Sequence, residues 1–216
     1  MYNKLVIFDC DGVLVDSEPI TNRIFGDMLH EIGLPLTQQD VFDRFVGRSM
    51  SYCYALIESL LGAPLPAGFA DAYISRCNIA LARELKPVPH IELVLDELTR
   101  REIPYCVASS GTHDKMRTTL GLTGLLHRFE GRRYSTTEVA HAKPAPDVYL
   151  YAAEKQGVPV ESCCVVEDTA VGVSAALSAG MTVYGYCGRT PQPVLIEAGA
   201  HHTLTDMREL PKLLFP

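Results

Sequence analysis

The chain has 216 residues, 47% of them hydrophobic and 21% charged, which excludes a largely disordered or collagen-like protein and leaves room for one full domain plus a smaller insert. Nineteen Lys and Arg against 26 Asp and Glu give a net charge of −7, and the basic residues are scattered, so no nucleic-acid partner is expected. No apolar run approaches the roughly 20 residues of a membrane span, and Met1 to Lys4 leads into a strand-like segment rather than a signal peptide, so no membrane partner and a cytoplasmic address are expected.

The first element is Leu5-Val6-Ile7-Phe8, a continuous apolar run that stops at Asp9. Similar runs recur at Tyr105 to Ala108, Cys163 to Val166 and Thr182 to Cys187. Continuous rather than alternating runs predict strands buried on both faces. From about Ser17 to Leu85 the pattern changes to successive helical stripes, Ile20, Ile24, Met28 and Ile32 in one and Tyr73, Cys77, Leu81 and Leu85 in another, with a helix start at Thr37-x-x-Asp40 between them. Lys86-Pro87-Val88-Pro89 marks the exit, because each proline bars helix at the residue before it. Helical stripes then follow the later strands: Ile91, Leu95 and Leu98; Met116 and Leu120; Val148, Tyr151, Ala152 and Lys155; Val173 and Leu177. Strand then helix, repeated, predicts an α/β fold, a doubly wound parallel-sheet (Rossmann-like) core of residues 1–16 and 86–216, with an inserted all-helical cap of residues 17–85. Seven cysteines without C-x-x-C spacing argue against a disulfide framework and against a zinc site. His201-His202 reads as a polar strand end.

Chemistry concentrates where the apolar runs stop, at the carboxyl edge of the expected sheet. Asp9-Cys10-Asp11-Gly12 places two carboxylates there, though Asp and Gly are also ordinary turn formers. Ser109 and Ser110 follow the second run, and Glu167-Asp168 follow the run Cys163 to Val166. Carboxylates gathered in one place repel and resist joint ionisation. A hard divalent cation would resolve that conflict, and Asp9 with Asp168, and with Glu167 as a further candidate, offers the oxygen ligands Mg²⁺ prefers. Lys143, ahead of the helix that crosses to Glu167-Asp168, would balance the same charges.

These residues resemble the haloacid dehalogenase superfamily in its phosphatase and phosphomutase branch. Asp9-Cys10-Asp11-Gly12-Val13-Leu14-Val15-Asp16-Ser17-Glu18 is similar to the first family motif, Ala108-Ser109-Ser110-Gly111 to the second, Lys143-Pro144 to the third and Glu167-Asp168 to the fourth. All four occur in order, and the insertion point is similar to that of the family's small helical cap. The resemblance implies that Asp9 is the nucleophile and Asp11 the acid and base. It implies that Ser109, Ser110 and Lys143 hold the phosphoryl oxygens. Asp9, the backbone carbonyl of Asp11, Asp168 and Glu167, directly or through water, would hold Mg²⁺. One departure is the stretch His141-Ala142-Lys143, where relatives often have glycine just before the lysine, and it leaves His141 near the pocket without an assigned role.

The implied activity is Mg²⁺-dependent hydrolysis of a small phosphorylated metabolite, a sugar, polyol or sugar-acid phosphate such as 6-phosphogluconate, by a monomer or weak homodimer. The alternative is a sugar phosphomutase of the beta-phosphoglucomutase type. In that branch a hinge histidine stands where this chain has Thr21, and a cap lysine and arginine hold the second phosphate. This chain has no lysine between Lys4 and Lys86, and its cap offers Arg44 and Arg48 as candidates for pairing with an anionic substrate group. Hydrolysis is therefore expected over transfer, and a non-catalytic phosphate-binding protein is the remote third reading.

Overall fold

The computed structural model describes residues 5–45 and 50–215. In chain order the elements are β1 (Leu5–Phe8), α1 (Glu18–Glu31), α2 (Gln38–Phe45), α3 (Met50–Leu61), α4 (Phe69–Glu84), α5 (Ile91–Arg100), β2 (Tyr105–Ser109), α6 (His113–Leu122), β3 (Arg133–Ser135), α7 (Asp147–Gln156), β4 (Cys163–Glu167), α8 (Ala170–Ser178), β5 (Thr182–Tyr186), α9 (Gln192–Glu197), β6 (His202–Leu204) and α10 (Leu210–Leu214). Contacts divide the chain into two compact units, one of Met1–Asp16 with Lys86–Pro216 and one of Ser17–Leu85.

In the larger unit the described strands form one six-stranded sheet in the order β3-β2-β1-β4-β5-β6, every pairing parallel. Every residue of β1, β2 and β4 is buried, the physical reason that these segments carry unbroken apolar runs. The two edge strands, β3 and β6, have three residues each and carry no such run, so sequence periodicity does not single them out. The strand order reverses between β1 and β4, which opens a crevice beyond their carboxyl ends. Register brings those ends level: Phe8 lies opposite Val107 of β2 and Val166 of β4, and the Asp9 amide donates to the Val166 carbonyl at 3.0 Å.

The segments on either side of the smaller unit run side by side within the larger one. Val15 and Pro87 form an antiparallel bridge, the Asp16 amide donates to the Lys86 carbonyl and the Val88 amide to the Leu14 carbonyl, both at 3.0 Å. Arg189, beyond β5, donates to both Asp16 carboxylate oxygens at 3.1 and 3.2 Å.

The smaller unit is helical throughout its described elements. Its core gathers Phe25, Leu29, Val41, Phe45, Ile57 and Phe69, and Phe25 meets the rings of Phe45 and Tyr73 edge-on with centroids 5.2 Å apart in each case. The expected stripe on α1 is displaced: Ile20, Phe25, Met28 and Leu29 are buried, while Ile24 and Ile32 are only partly covered. Helices pack on two sides of α1, α2 and α4, so its apolar face is broader than a single stripe. Thr37 begins α2 as its spacing predicts. Its hydroxyl accepts from the Asp40 amide at 3.1 Å, and Asp40 accepts from the Thr37 amide at 3.0 Å. No described helix is long and apolar enough to cross a membrane.

Candidate active site

Asp9 follows the last residue of β1 and is buried. The chain then turns sharply: the Leu14 and Val15 amides both donate to the Cys10 carbonyl, at 2.9 and 3.0 Å, and the Gly12 amide to the Val15 carbonyl at 2.8 Å. Gly12 takes φ +80°, and a Cβ there would stand 2.0 Å from Oδ2 of Asp168. Only glycine therefore both adopts the turn and lets the Asp168 carboxylate lie against it. Asp11 emerges beside that turn, its side chain 22% exposed.

Lys143 provides the counter-charge, with a side chain only 4% exposed. Its Nζ donates to Asp9 Oδ1 at 2.6 Å, to Glu167 Oε1 at 2.9 Å and to the Ala108 carbonyl at 3.2 Å, and lies 4.7 Å from the centre of the Tyr149 ring. The Asp9 carboxyl is pushed up to about 7, chiefly by burial and further by Glu167 and Asp11, against the pull of Lys143 in the other direction. Burial opposes the Lys143 charge, but Asp9 and Glu167 outweigh it and hold the ammonium well above its ordinary range. Cys10, between the two aspartates, is pushed well above its ordinary value by burial and by the Asp11 and Asp9 charges, so its thiol stays protonated and is no competing nucleophile.

Glu167 is held through both of its carboxylate oxygens. Its Oε1 accepts from Lys143 and, at 3.2 Å, from the Tyr149 hydroxyl. Its Oε2 accepts from the Thr169 amide at 2.8 Å and the Thr169 hydroxyl at 2.9 Å. Both oxygens are thus engaged by protein donors, and Glu167 fixes the Lys143 ammonium beside Asp9. Gly172, on the first turn of α8, makes this packing possible, since a Cβ there would stand 1.7 Å from Glu167 Oε1. Replacing a helical Gly by Ala ordinarily stabilises by about 1 kcal/mol. Here Gly172→Ala is expected to have the opposite sign and to destabilise by about 1–3 kcal/mol, because Glu167 must leave four donors. Thermal melting of the variant checks it.

The second expected motif separates into two parts. Ser109 is buried at the end of β2 and its Oγ accepts from the Gly111 amide at 3.0 Å. A Cβ on Gly111 would lie 3.4 Å from that Oγ and 3.8 Å from Asp11 Oδ2, so Ser109 and Asp11 converge on the same spot. The Ser110 side chain is exposed, and its carbonyl accepts from the Thr136 hydroxyl at 3.2 Å; no described contact ties its hydroxyl to the buried cluster. Ser135 of β3 supports the loop from beneath, donating to the Gly111 carbonyl at 2.7 Å.

His141 acquires a place. Its ring Nδ1 and its amide approach Asp147 Oδ2 at 3.1 and 3.2 Å, closing the loop that carries Lys143 onto the start of α7. Arg44 is exposed, with Nη2 3.8 Å from Asp40 one helical turn away, and Arg48 lies outside the described residues. Sequence reading passed over two residues that the fold brings to the site. Tyr149 was obscured because the expected face of α7 ran through Val148, Tyr151 and Ala152, whereas Val148, Tyr149, Ala152 and Ala153 are buried. Lys115 has its Nζ 2.8 Å from Asp11 Oδ2, and only its place one turn after Ser109-Ser110-Gly111 hints at it.

Among the described residues no three His, Cys, Asp or Glu side chains form a ready-made metal cage. Asp9 and Asp168 remain as buried carboxylates against the Gly12 turn, and two carboxylates completed by water and substrate oxygens form the usual Mg²⁺ donor set. The described contact of Asp9 uses Oδ1, and the turn at Gly12 holds the Asp168 carboxylate close to the chain segment that bears Asp9 and Asp11. The residues therefore fit Mg²⁺.

A family model described as haloacid dehalogenase-like hydrolase matches residues 3–180. A 6-phosphogluconate phosphatase of Escherichia coli K12 is 31% identical over 97% of this chain and 94% of its own length. A fructose-1-phosphate phosphatase of the same organism is 29% identical over 84% of this chain and 96% of its own. A haloacid dehalogenase-like protein of unknown function from Agrobacterium tumefaciens C58 superposes with a TM-score of 0.88 at 32% identity, covering 98% of this chain and 97% of that one.

Proposed function

The chain belongs to the haloacid dehalogenase-like hydrolases, and from that premise we propose that it is a Mg²⁺-dependent phosphatase of a small phosphorylated metabolite, acting through an aspartyl-phosphate on Asp9. The substrate class is a sugar, polyol or sugar-acid monophosphate. The observation that carries this reading is the buried Lys143 ammonium between Asp9 and Glu167, with Asp11 and Ser109 converging beside it.

Lys143 holds Oδ1 of Asp9 and leaves Oδ2 to attack phosphorus, with the ammonium beside the arriving phosphoryl oxygens to offset their charge. Ser109 accepts from Gly111 through its oxygen, so its hydroxyl hydrogen can be given to a phosphoryl oxygen. Asp11 gives a proton to the departing ester oxygen and later takes one from the attacking water. Asp9 and Asp168 would hold Mg²⁺, joined, by the family resemblance, by the main-chain carbonyl of Asp11. When bound, the ion supplies positive charge against the phosphoryl oxygens and lowers the proton affinity of Asp9.

The test is phosphate release from a panel of sugar, polyol and sugar-acid phosphates with Mg²⁺ and with chelator. Release abolished by chelation and restored by Mg²⁺ supports the reading, and full activity in excess chelator overturns it. Transfer between sugar positions is disfavoured by Thr21, whose hydroxyl bonds to the Ser17 and Glu18 carbonyls of its own helix turn at 3.3 and 3.2 Å.

A second expectation needs no turnover. The Asp9 pKa is raised in the folded metal-free protein, so this residue contributes stability below the ordinary carboxylate range that is lost as pH rises towards about 7. A cation that requires ionised Asp9 competes with that proton. The rise in Tm on adding Mg²⁺ should therefore be small at pH 5 and grow towards pH 8. A shift independent of pH would remove Asp9 from the metal site.

A further inference from the structure

We propose that Lys115 is the positioning residue that orients Asp11 for proton transfer at the ester oxygen, an inference that rests on the roles of Asp9 and Asp11 given above. The two residues stand 104 positions apart in the chain, yet Lys115 Nζ lies 2.8 Å from Asp11 Oδ2.

Three features direct the lysine there. It occupies the first turn of α6, and its amide is held by the Thr112 hydroxyl at 3.2 Å, so the main chain beneath it is capped and fixed. Gly111 clears its path, since a Cβ at that position would stand 3.2 Å from Lys115 Cδ. Asp11 in turn sits on the tight Cys10 to Val15 turn, whose main chain is pinned by three hydrogen bonds. On that fixed main chain the ammonium at Oδ2 restrains the rotation of the Asp11 side chain.

The pair is not a structural staple. The Lys115 side chain is 44% exposed and that of Asp11 22%, and an ion pair so open to water contributes little to folding. Its effect falls on the chemistry. As Asp9 forms its bond to phosphorus, the electrons of the ester P–O bond pass to the departing oxygen, which takes the proton of Asp11 and leaves as an alcohol. Water then attacks the aspartyl-phosphate, gives a proton back to Asp11 and releases inorganic phosphate with Asp9 restored. Misplacing a catalytic group by about 1 Å can lower the rate on the order of 100-fold.

A leaving group that is stable as an anion does not need the proton, which separates positioning from a general structural role. The experiment measures kcat/KM with Mg²⁺ for 4-nitrophenyl phosphate and for a polyol phosphate in the wild type, Lys115→Met, Lys115→Arg and Asp11→Asn. The expected result is that Lys115→Met loses on the order of 10- to 100-fold on the polyol phosphate, within the range of general-acid effects, and little on the nitrophenyl ester. Lys115→Arg should recover most of the loss, and Asp11→Asn should show the same substrate dependence more strongly. Equal losses on both substrates in Lys115→Met, or none on either, while Asp11→Asn keeps its substrate dependence, overturn the proposal alone. An Asp11→Asn variant without that dependence overturns the reading of Asp11 and the proposal with it.

Discussion

Asp9→Asn is expected to lower phosphate release on the order of 10⁴-fold or more while leaving the melting temperature unchanged or higher. The amide has the shape of the carboxylate, and its oxygen can still accept from Lys143, now 2.6 Å from Asp9 Oδ1. It cannot attack phosphorus. The stability half of the prediction follows from burial, which pushes the Asp9 carboxyl up to about 7 and so makes its ionised form a burden on the fold at neutral pH. Removing that charge relieves the burden, and the exchange of stability for activity is the common condition of catalytic groups. Turnover near that of the wild type would sink the covalent scheme. Lost turnover together with a large drop in melting temperature would assign Asp9 a structural role instead.

The second large effect concerns Lys143. In Lys143→Met the carboxylates of Asp9 and Glu167, both now bonded to the same ammonium, would face one another without a counter-charge. Breaking a buried pair by removing one partner costs about 3–5 kcal/mol, which for a chain of this size lowers Tm on the order of 10 °C. The deficit depends on pH in a determined direction. With the cation gone, the proton affinity of the Asp9 carboxyl, already raised, rises further, and a carboxyl whose folded pKa is raised supports the fold only at low pH. The gap in Tm between variant and wild type should therefore be small near pH 5 and widen towards pH 8. Activity should be lost across that range, since the group that fixes Asp9 and offsets phosphoryl charge is absent. A double variant, Lys143→Met with Glu167→Gln, should recover part of the stability and none of the activity. Melting curves at two pH values check the first statement, and a phosphate assay checks the second.

Much of the larger unit is legible in the amino-acid order because its signals are local. Strands buried on both faces need unbroken apolar residues, so β1, β2, β4 and β5 stand out. The polar residues that end these runs fall at one sheet edge because parallel strands share a direction, and this gathers Asp9, Ser109 and Glu167 without knowledge of any contact. The α2 start at Thr37 is equally local, a reciprocal bond across three residues.

What the order of residues left open is non-local. The edge strands β3 and β6 are three residues long and are strands only because β2 and β5 lie beside them. Which neighbours each carboxylate meets was likewise undecided, since Glu167 and Asp168 are adjacent and of like chemistry. Four donors drawn from α7, the loop before it and Thr169 turn Glu167 inward, whereas a glycine at φ +80° receives Asp168. Lys115 reaches Asp11 across 104 residues, and no periodicity encodes such a meeting. A side chain's role in this site depends on which partners neutralise its charge, and those partners are assembled only when the sheet has brought distant segments together.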